Sequence, residues 1–303
     1  MHNLPVSSLL ASIPSPSSGV VELGPLTLRG YGIMLLLGIL GAVWLTGRRW
    51  TRSGGDWDLV LRVAMWGVAG GIVGARLYHV LTSWNEVPDE WWGIFAVWEG
   101  GLGVWGGITG GVLAGSVVVR RAGVSVYAFM DAVAPGLLLA QCIGRWGNYF
   151  NQELFGKPTD LPWGLEISLE NRPSGYESFA TFHPVFLYES LWNLAGVLLL
   201  VWIGARFRIR PPGLFALYVA YYTFFRFFEE LLRIDPSKHF GGLRLNAWVT
   251  IAVFAAAVVA FVWSQRRREG TRGEGGRPTR RRGVAEAALP KMAIPKGRVR
   301  RPR

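Results

Sequence analysis

A single cysteine, Cys142, rules out an intrachain disulfide. It sits inside an apolar run, where a free thiol serves as a small hydrophobe rather than a nucleophile. Histidine is scarce as well: His2, His79, His183 and His239 are scattered, and no His-Glu-x-x-His occurs. No cluster therefore has metal-ligand spacing. The phosphate-binding pattern Gly-x-x-x-x-Gly-Lys-Ser/Thr is missing, so no nucleotide site is expected. Charged residues make up only 17% of the chain. Outside the C-terminal end the basic residues do not interleave with aromatics as a nucleic-acid groove requires. No cofactor, metal or nucleic acid is expected. A secretory signal pattern is also lacking; Met1–Gly24 is Ser/Pro-rich and weakly polar, so the first membrane span is expected later.

What is present points to a membrane. Among 303 residues there are 15 Trp and 40 Gly, and the mean hydropathy is +0.27. Trp concentrates at membrane interfaces, and Gly is tolerated in transmembrane helices. A span needs about 20 mainly apolar residues. Seven runs qualify: Tyr31–Gly47, Asp58–Leu81, Phe95–Val119, Val126–Ile143, Pro184–Ile203, Gly213–Leu232 and Asn246–Trp263. Basic clusters follow each odd run: Arg48/Arg49/Arg52, Arg120/Arg121, Arg206/Arg208/Arg210 and Arg266/Arg267/Arg268. Lys and Arg in short loops stay cytoplasmic. The expected protein is thus an all-α, multi-pass plasma-membrane protein of about seven helices, N-terminus extracytoplasmic and C-terminus cytoplasmic. Residues 1–28 form an outer N-terminal segment, 29–265 the transmembrane domain with a small extracytoplasmic cap at about 151–183, and 266–303 a basic tail. That tail holds 14 Lys/Arg against 3 Asp/Glu, so it carries +11 of the net +12. Such a segment is expected to be disordered and to rest on anionic headgroups.

One stretch concentrates polar groups at the edge of the bilayer. Gly144 to Gly156 contains Arg145, Asn148, Asn151 and Glu153 directly after an apolar run. An arginine there costs ~2.5–3.5 kcal/mol on insertion scales, which makes it a functional-site candidate by default. Arg145 can fork onto a phosphate, while Asn148 and Asn151 can orient a polar headgroup. The glycines, Gly156 included, permit close backbone approach or positive φ. The plainer alternative is a snorkelling arginine before an Asn-rich turn.

Other polar residues lie in the remaining runs. Arg226, Glu230 and Arg233 share one helical face, either as a buried ion pair or with Arg226 facing Arg145 across a cavity to hold an anion. Tyr31 opens the first run, as an aromatic-belt residue or a site residue. His183 precedes the fifth run and can act as an acid or base, or merely begin a helix. Glu189 is expected to be a hydrogen-bonded structural carboxylate. Arg76 is expected to satisfy a buried carboxylate, Glu99 or Glu189.

The stretch Gly144-Arg145-Trp146-Gly147-Asn148-Tyr149-Phe150-Asn151-Gln152-Glu153-Leu154-Phe155-Gly156 resembles the signature of the prolipoprotein diacylglyceryl transferases. Further blocks in the right order are Arg29–Gly32, Glu99–Gly107, His183–Glu189 and the Phe-Arg-x-x-x-Glu-x-x-Arg element at Arg226. Trp105 stands where many relatives carry His. The resemblance spans roughly Tyr31 to Trp263. It implies a transferase that moves the diacylglyceryl group of phosphatidylglycerol onto the lipobox cysteine in the signal peptide of an exported prolipoprotein, releasing sn-glycerol 1-phosphate. It implies Arg145, Arg226, Tyr31, Glu153 and Glu230 as catalytic residues, and Arg145, Asn148, Asn151, Gly156, Arg226 and His183 as lipid-binding residues. The alternatives are a transporter of an anionic lipid or solute, for which an internal repeat would be expected, and a non-catalytic membrane scaffold.

Overall fold

The computed structural model describes residues 12–266 apart from 17, 24, 25, 236 and 238. The basic tail and the first eleven residues lie outside the described residues. Among the described residues seven α-helices follow a hairpin of β1 (Val20–Leu23) and β2 (Leu26–Arg29). They are α1 (Gly30–Arg52), α2 (Trp57–Thr82), α3 (Val104–Arg121), α4 (Val126–Asn151), α5 (Val185–Arg206), α6 (Gly213–Leu232) and α7 (Leu245–Arg266). Two short antiparallel ladders complete the fold: β3 (Leu165–Glu166) with β4 (Thr181–Phe182), and β5 (His239–Phe240) with β6 (Leu243–Arg244).

Five helices, α1, α2, α4, α5 and α7, are long and apolar enough to cross a membrane. Large apolar side chains such as Leu36, Met65, Val73, Leu113, Leu198 and Val259 stay exposed along these helices and α3. A water-soluble protein would bury such a band; a membrane protein turns it to lipid. Of the other two helices, α3 is 18 residues long and Gly-rich, while α6 carries Arg226, Glu229 and Glu230.

Helices pair as α1 with α4, α2 with α3, α4 with α5 and α6 with α7. The α2–α3 contact is nearly backbone on backbone. A Cβ on Gly74 would fall 2.4 Å from the Gly106 carbonyl oxygen, and one on Gly110 would fall 2.2 Å from that of Gly70. Without a hydrophobic force between helices in lipid, such small-residue contacts supply the packing. Elsewhere Ala134 and Leu138 of α4, Val197 and Leu200 of α5, and Leu214 of α6 form one buried cluster. Trp192 of α5 stacks on Tyr221 of α6 at 4.5 Å. These contacts bring α4, α5 and α6 side by side, the arrangement on which the site depends.

Two boundaries differ from expectation. The third apolar run was expected to be helical from Phe95, but α3 starts at Val104. Short 3-10 turns at Gly93–Phe95 and Val97–Glu99 come first, and Gly100 (φ 95°) and Gly101 (φ 63°) then turn the chain through the left-handed region before α3. Conversely, α4 does not stop at Ile143: it runs through the glycines of the polar stretch to Asn151.

Candidate active site

Gly144 to Asn151 of the polar stretch form the last two turns of α4, so Arg145, Asn148 and Asn151 are set by helical spacing, while Gln152 to Gly156 follow the helix end. Positions 145 and 148 are one turn apart and face the same way. There Arg145 Nη1 donates to Asn148 Oδ1 at 3.3 Å, and Asn148 Nδ2 donates to Glu153 Oε1 at 2.9 Å. Asn151 Nδ2 reaches the same Glu153 oxygen at 3.4 Å. Glu153 therefore acts on Arg145 through a buried amide. Gly147 and Gly156 have no positive φ; the left-handed residues are Gln152 (φ 50°) and Leu154 (φ 57°). Gln152 is fixed by its side chain, which donates to the Pro16 carbonyl and accepts from Ser168 N–H.

Gly147 has another purpose. A Cβ there would lie 2.7 Å from Tyr31 Cδ2, so the tyrosine ring rests directly on the α4 backbone. This places Tyr31, at the start of α1, against Gly147, the residue directly before Asn148, with its ring exposed. Gly156 is likewise a close-packing position, where a Cβ would meet His183 Cβ at 2.8 Å. Its N–H donates to the His183 carbonyl at 3.0 Å, and it bridges Arg233.

Arg145 also reaches across to its neighbours. Its Nη2 lies 2.6 Å from Glu189 Oε1 of α5 and 3.5 Å from the Tyr222 hydroxyl of α6. Glu229 of α6, like Glu189, is buried. Arg226 then holds Glu229 through Nη1 and Glu230 through Nη2, each at 2.5 Å. Beyond α6, Arg233 contacts Asp235 at 2.6 Å and Glu229 at 3.7 Å. Arg244, at the end of the β5–β6 hairpin, contacts Glu230 Oε2 at 2.9 Å, with that N–H out of line for a hydrogen bond. It also donates to Asp235 Oδ2 at 2.8 Å and to the Arg233 carbonyl at 2.9 Å. Arg145, Arg226, Arg233 and Arg244 thus face Glu189, Glu229, Glu230 and Asp235, a formally balanced set.

Exposure is uneven within that set. The Glu189 side chain is 1% exposed and Glu229 1%, while Arg145 is 19% and Arg226 17% exposed. The carboxylates sit behind and the guanidiniums in front. A guanidinium has more N–H donors than these bonds use, so both arginines retain capacity toward an incoming anion. At Asp235, outside the helices, burial pushes the carboxyl up, but hydrogen bonds from Arg233 and Arg244 outweigh it and hold it below the usual carboxylate range.

His183 is not joined to this network. Its Nδ1 pairs with the Tyr188 hydroxyl at 3.2 Å, and Trp163 Nε1 donates to that same hydroxyl at 3.0 Å. Burial, then the nearby Lys157 charge, push its pKa below the ordinary histidine value. Arg76 departs from expectation: its partners are the carbonyls of Gly93 (2.5 Å), Ile94 (3.0 Å), Gly100 (2.9 Å) and Gly101 (3.2 Å), not a carboxylate. The turn before α3 curls around the guanidinium and presents main-chain oxygens, a geometry that has no sequence signal. Trp105 is exposed on α3. Cys142 is buried, with Sγ 3.3 Å from Ser190 Oγ. Among the described residues no group of three His, Cys, Asp or Glu could hold a metal ion.

Sequence reasoning missed Tyr222, Glu229, Asp235 and Arg244. Tyr222 and Glu229 lie four residues before and three after Arg226, so helical spacing alone could have found both. Nothing local marks Arg244.

The sequence profile described as prolipoprotein diacylglyceryl transferase matches residues 18–263 of this chain. The chain belongs to the prolipoprotein diacylglyceryl transferase family. It is 50% identical over 268 residues to phosphatidylglycerol–prolipoprotein diacylglyceryl transferase 2 of Streptomyces coelicolor, covering 86% of this chain and 83% of that one. The enzyme of that name from Cutibacterium acnes is 48% identical over 266 residues, covering 87% and 89%. The one from Mycobacteroides abscessus is 43% identical over 286 residues, covering 89% and 83%. As a prolipoprotein diacylglyceryl transferase family member, the chain carries its arginine and carboxylate network and its Tyr31 contact within the matched span, together with a polar lobe at 152–184 built on Phe155, Leu165, Ile167 and Phe182.

Proposed function

We propose that this membrane protein transfers the diacylglyceryl group of phosphatidylglycerol to the lipobox cysteine of a prolipoprotein, the first step of lipoprotein maturation. The relatives' names supply the substrate classes. The observation that carries the reading is the pair of largely buried but still accessible arginines, Arg145 and Arg226, held from behind by fully buried carboxylates.

The chemistry breaks the bond between the glyceryl carbon and phosphate oxygen and forms a carbon–sulfur bond. Negative charge therefore builds on the departing glycerol phosphate. Donors fixed in advance and shielded from water are the efficient means of holding it. Arg145 and Arg226 fill that role, each locked by the buried carboxylates so that its remaining N–H groups stay aimed. Asn148 and Asn151, tied to Glu153, position the glycerol hydroxyls together with Tyr31. A thiol of pKa ~8.5 is mostly protonated at neutral pH, and its proton must pass to a carboxylate or to the departing phosphate; Glu153, exposed and anchored, suits the first.

The seven helices are read as seven spans, with α3 and α6 completing the five more apolar ones. The basic ends of α1, α3, α5 and α7 then face the cytoplasm, and the site and polar lobe face outward. Residues 12–16 join that lobe: Ile13 bridges Leu165, and Tyr149 donates to the Pro14 carbonyl.

The test is direct. Purified protein in phosphatidylglycerol vesicles should lipidate a peptide with a lipobox cysteine and release glycerol phosphate stoichiometrically. A Ser-substituted peptide should not react. Absence of transfer by folded wild-type protein with both substrates present overturns the reading.

A further inference from the structure

Beyond Gly67 and Gly111 the α2–α3 contact passes from backbone to side chains: Gly115 packs on Val63, and Leu59 and Val60 pack with Val119. Beside this contact lies a groove of about 400 Å³ between the two helices. Ala114, Val117 and Val118 form its apolar wall, Trp66 stands beside them, and Arg62 and Arg121 border it. The groove is far in sequence from Arg145 and Arg226 and contains none of the network residues.

Its chemistry is specific. Arg62 uses Nε on Asp58 at 3.1 Å, which leaves both terminal amino groups available, and the pair is half-exposed on each side. Such surface pairs are weak. Two guanidiniums next to an indole and an apolar wall match a phosphate joined to an acyl chain: forked donors for the oxygens, an amphipathic ring at headgroup level, aliphatic contacts below. Basic pockets between transmembrane helices bind anionic headgroups by this combination, and the volume lies in the ordinary range for small-ligand sites. A soluble phosphate would have no use for the apolar wall.

We infer that the α2–α3 groove is a binding site for an anionic phospholipid, separate from the catalytic centre, with its phosphate between Arg62 and Arg121 and an acyl chain along Ala114, Val117 and Val118. On the topology proposed above it opens to the cytoplasmic leaflet, but the binding itself does not depend on that orientation or on transferase activity.

The experiment is lipid-specific quenching of Trp66 in the full-length protein. Quenching by dibrominated phosphatidic acid and by dibrominated phosphatidylcholine is measured for wild type and for Trp66→Phe, and the difference isolates Trp66. The anionic lipid should quench the Trp66 component at several-fold lower mole fraction than the zwitterionic one. Arg62→Gln and Arg121→Gln should each reduce that preference roughly five-fold. Equal quenching by both lipids, or an unchanged preference in the double Gln variant, overturns the site. Should the variants not accumulate, salt on the wild type decides. The screening length falls from about 10 Å at 0.1 M to about 3 Å at 1 M, so the preference should shrink. A preference unmoved by salt overturns the phosphate–arginine contact. Excess inorganic phosphate should leave the quenching in place; full displacement by it would mark a free-anion site and overturn the lipid assignment.

Discussion

Arg145 on α4 and Glu189 on α5 meet at 2.6 Å, the guanidinium partly open to solvent and the carboxylate sealed behind it. Breaking a buried pair by removing one partner typically costs ~3–5 kcal/mol, because the other charge is left uncompensated. Arg145→Ala should therefore lose both transfer and thermal stability in detergent. Adding Glu189→Gln should restore stability without restoring transfer. Recovery of transfer in the double variant would reduce Arg145 to a counter-ion.

Arg226 grips two carboxylates at once, so its removal cannot be repaired by changing Glu230 alone. Arg226→Lys should accumulate normally yet lose ~10²–10³ in transfer rate, since an ammonium cannot reproduce the planar fork. Arg226→Ala combined with Glu229→Gln and Glu230→Gln should be stable and inactive. Near-normal turnover in either protein would refute a phosphate-holding role, as measured by glycerol phosphate release.

Arg244 ties the β5–β6 hairpin to the end of α6 through Glu230, Asp235 and the Arg233 carbonyl. In Arg244→Ala the segment 233–244 should become susceptible to limited proteolysis and the rate should fall, with Arg244→Lys intermediate. An intact proteolytic pattern with a full rate would mean that other contacts hold the hairpin.

Gly147 lies under the Tyr31 ring with no room for a methyl group. Overpacking of this kind costs ~1–3 kcal/mol. Gly147→Ala should lower the melting temperature and transfer together, and Tyr31→Ala added to it should recover the melting temperature alone. A fully stable and active Gly147→Ala would show that the ring moves aside freely.

His183 titrates below an ordinary histidine, through burial and the Lys157 charge. With its folded pKa depressed, the unfolded chain binds more protons between that value and about 6.5. Stability of the lobe should then rise with pH across that window and fall on acidification through it. His183→Gln should flatten this dependence, measured by hydrogen exchange of residues 156–183. A His183 proton resonance titrating at or above 6.5 would contradict it.

The helices were legible because lipid-facing residues must be apolar, and the seven runs coincide with seven helices to within a few residues at most ends. The exceptions have local causes, such as the left-handed Gly100 and Gly101 inside an apolar run. The Arg145 stretch was recognisable; among its glycines none has a positive φ, Gly147 and Gly156 are close-packing positions, and Gly144 has open space beside it. Arg226 and Glu230 followed from spacing. What could not be read was partner choice across elements. Arg76 found main-chain carbonyls, and Arg244 found Glu230 through a hairpin, because carbonyl cradles and returns of the chain leave no residue pattern.

The crossing of charges between α6 and the following hairpin bears on how the chain is made. On the proposed topology, α6 leaves the ribosome with Arg226, Glu229 and Glu230, and each ionisable group resists entry into lipid by ~2.5–3.5 kcal/mol. Arg226 neutralises part of this within the helix itself. The outer oxygen of Glu230 and the second charge of the pair wait for Arg233 and Arg244, which emerge later. On that order of synthesis, full charge compensation of α6 waits until the chain up to Arg244 has emerged, the residue directly before α7.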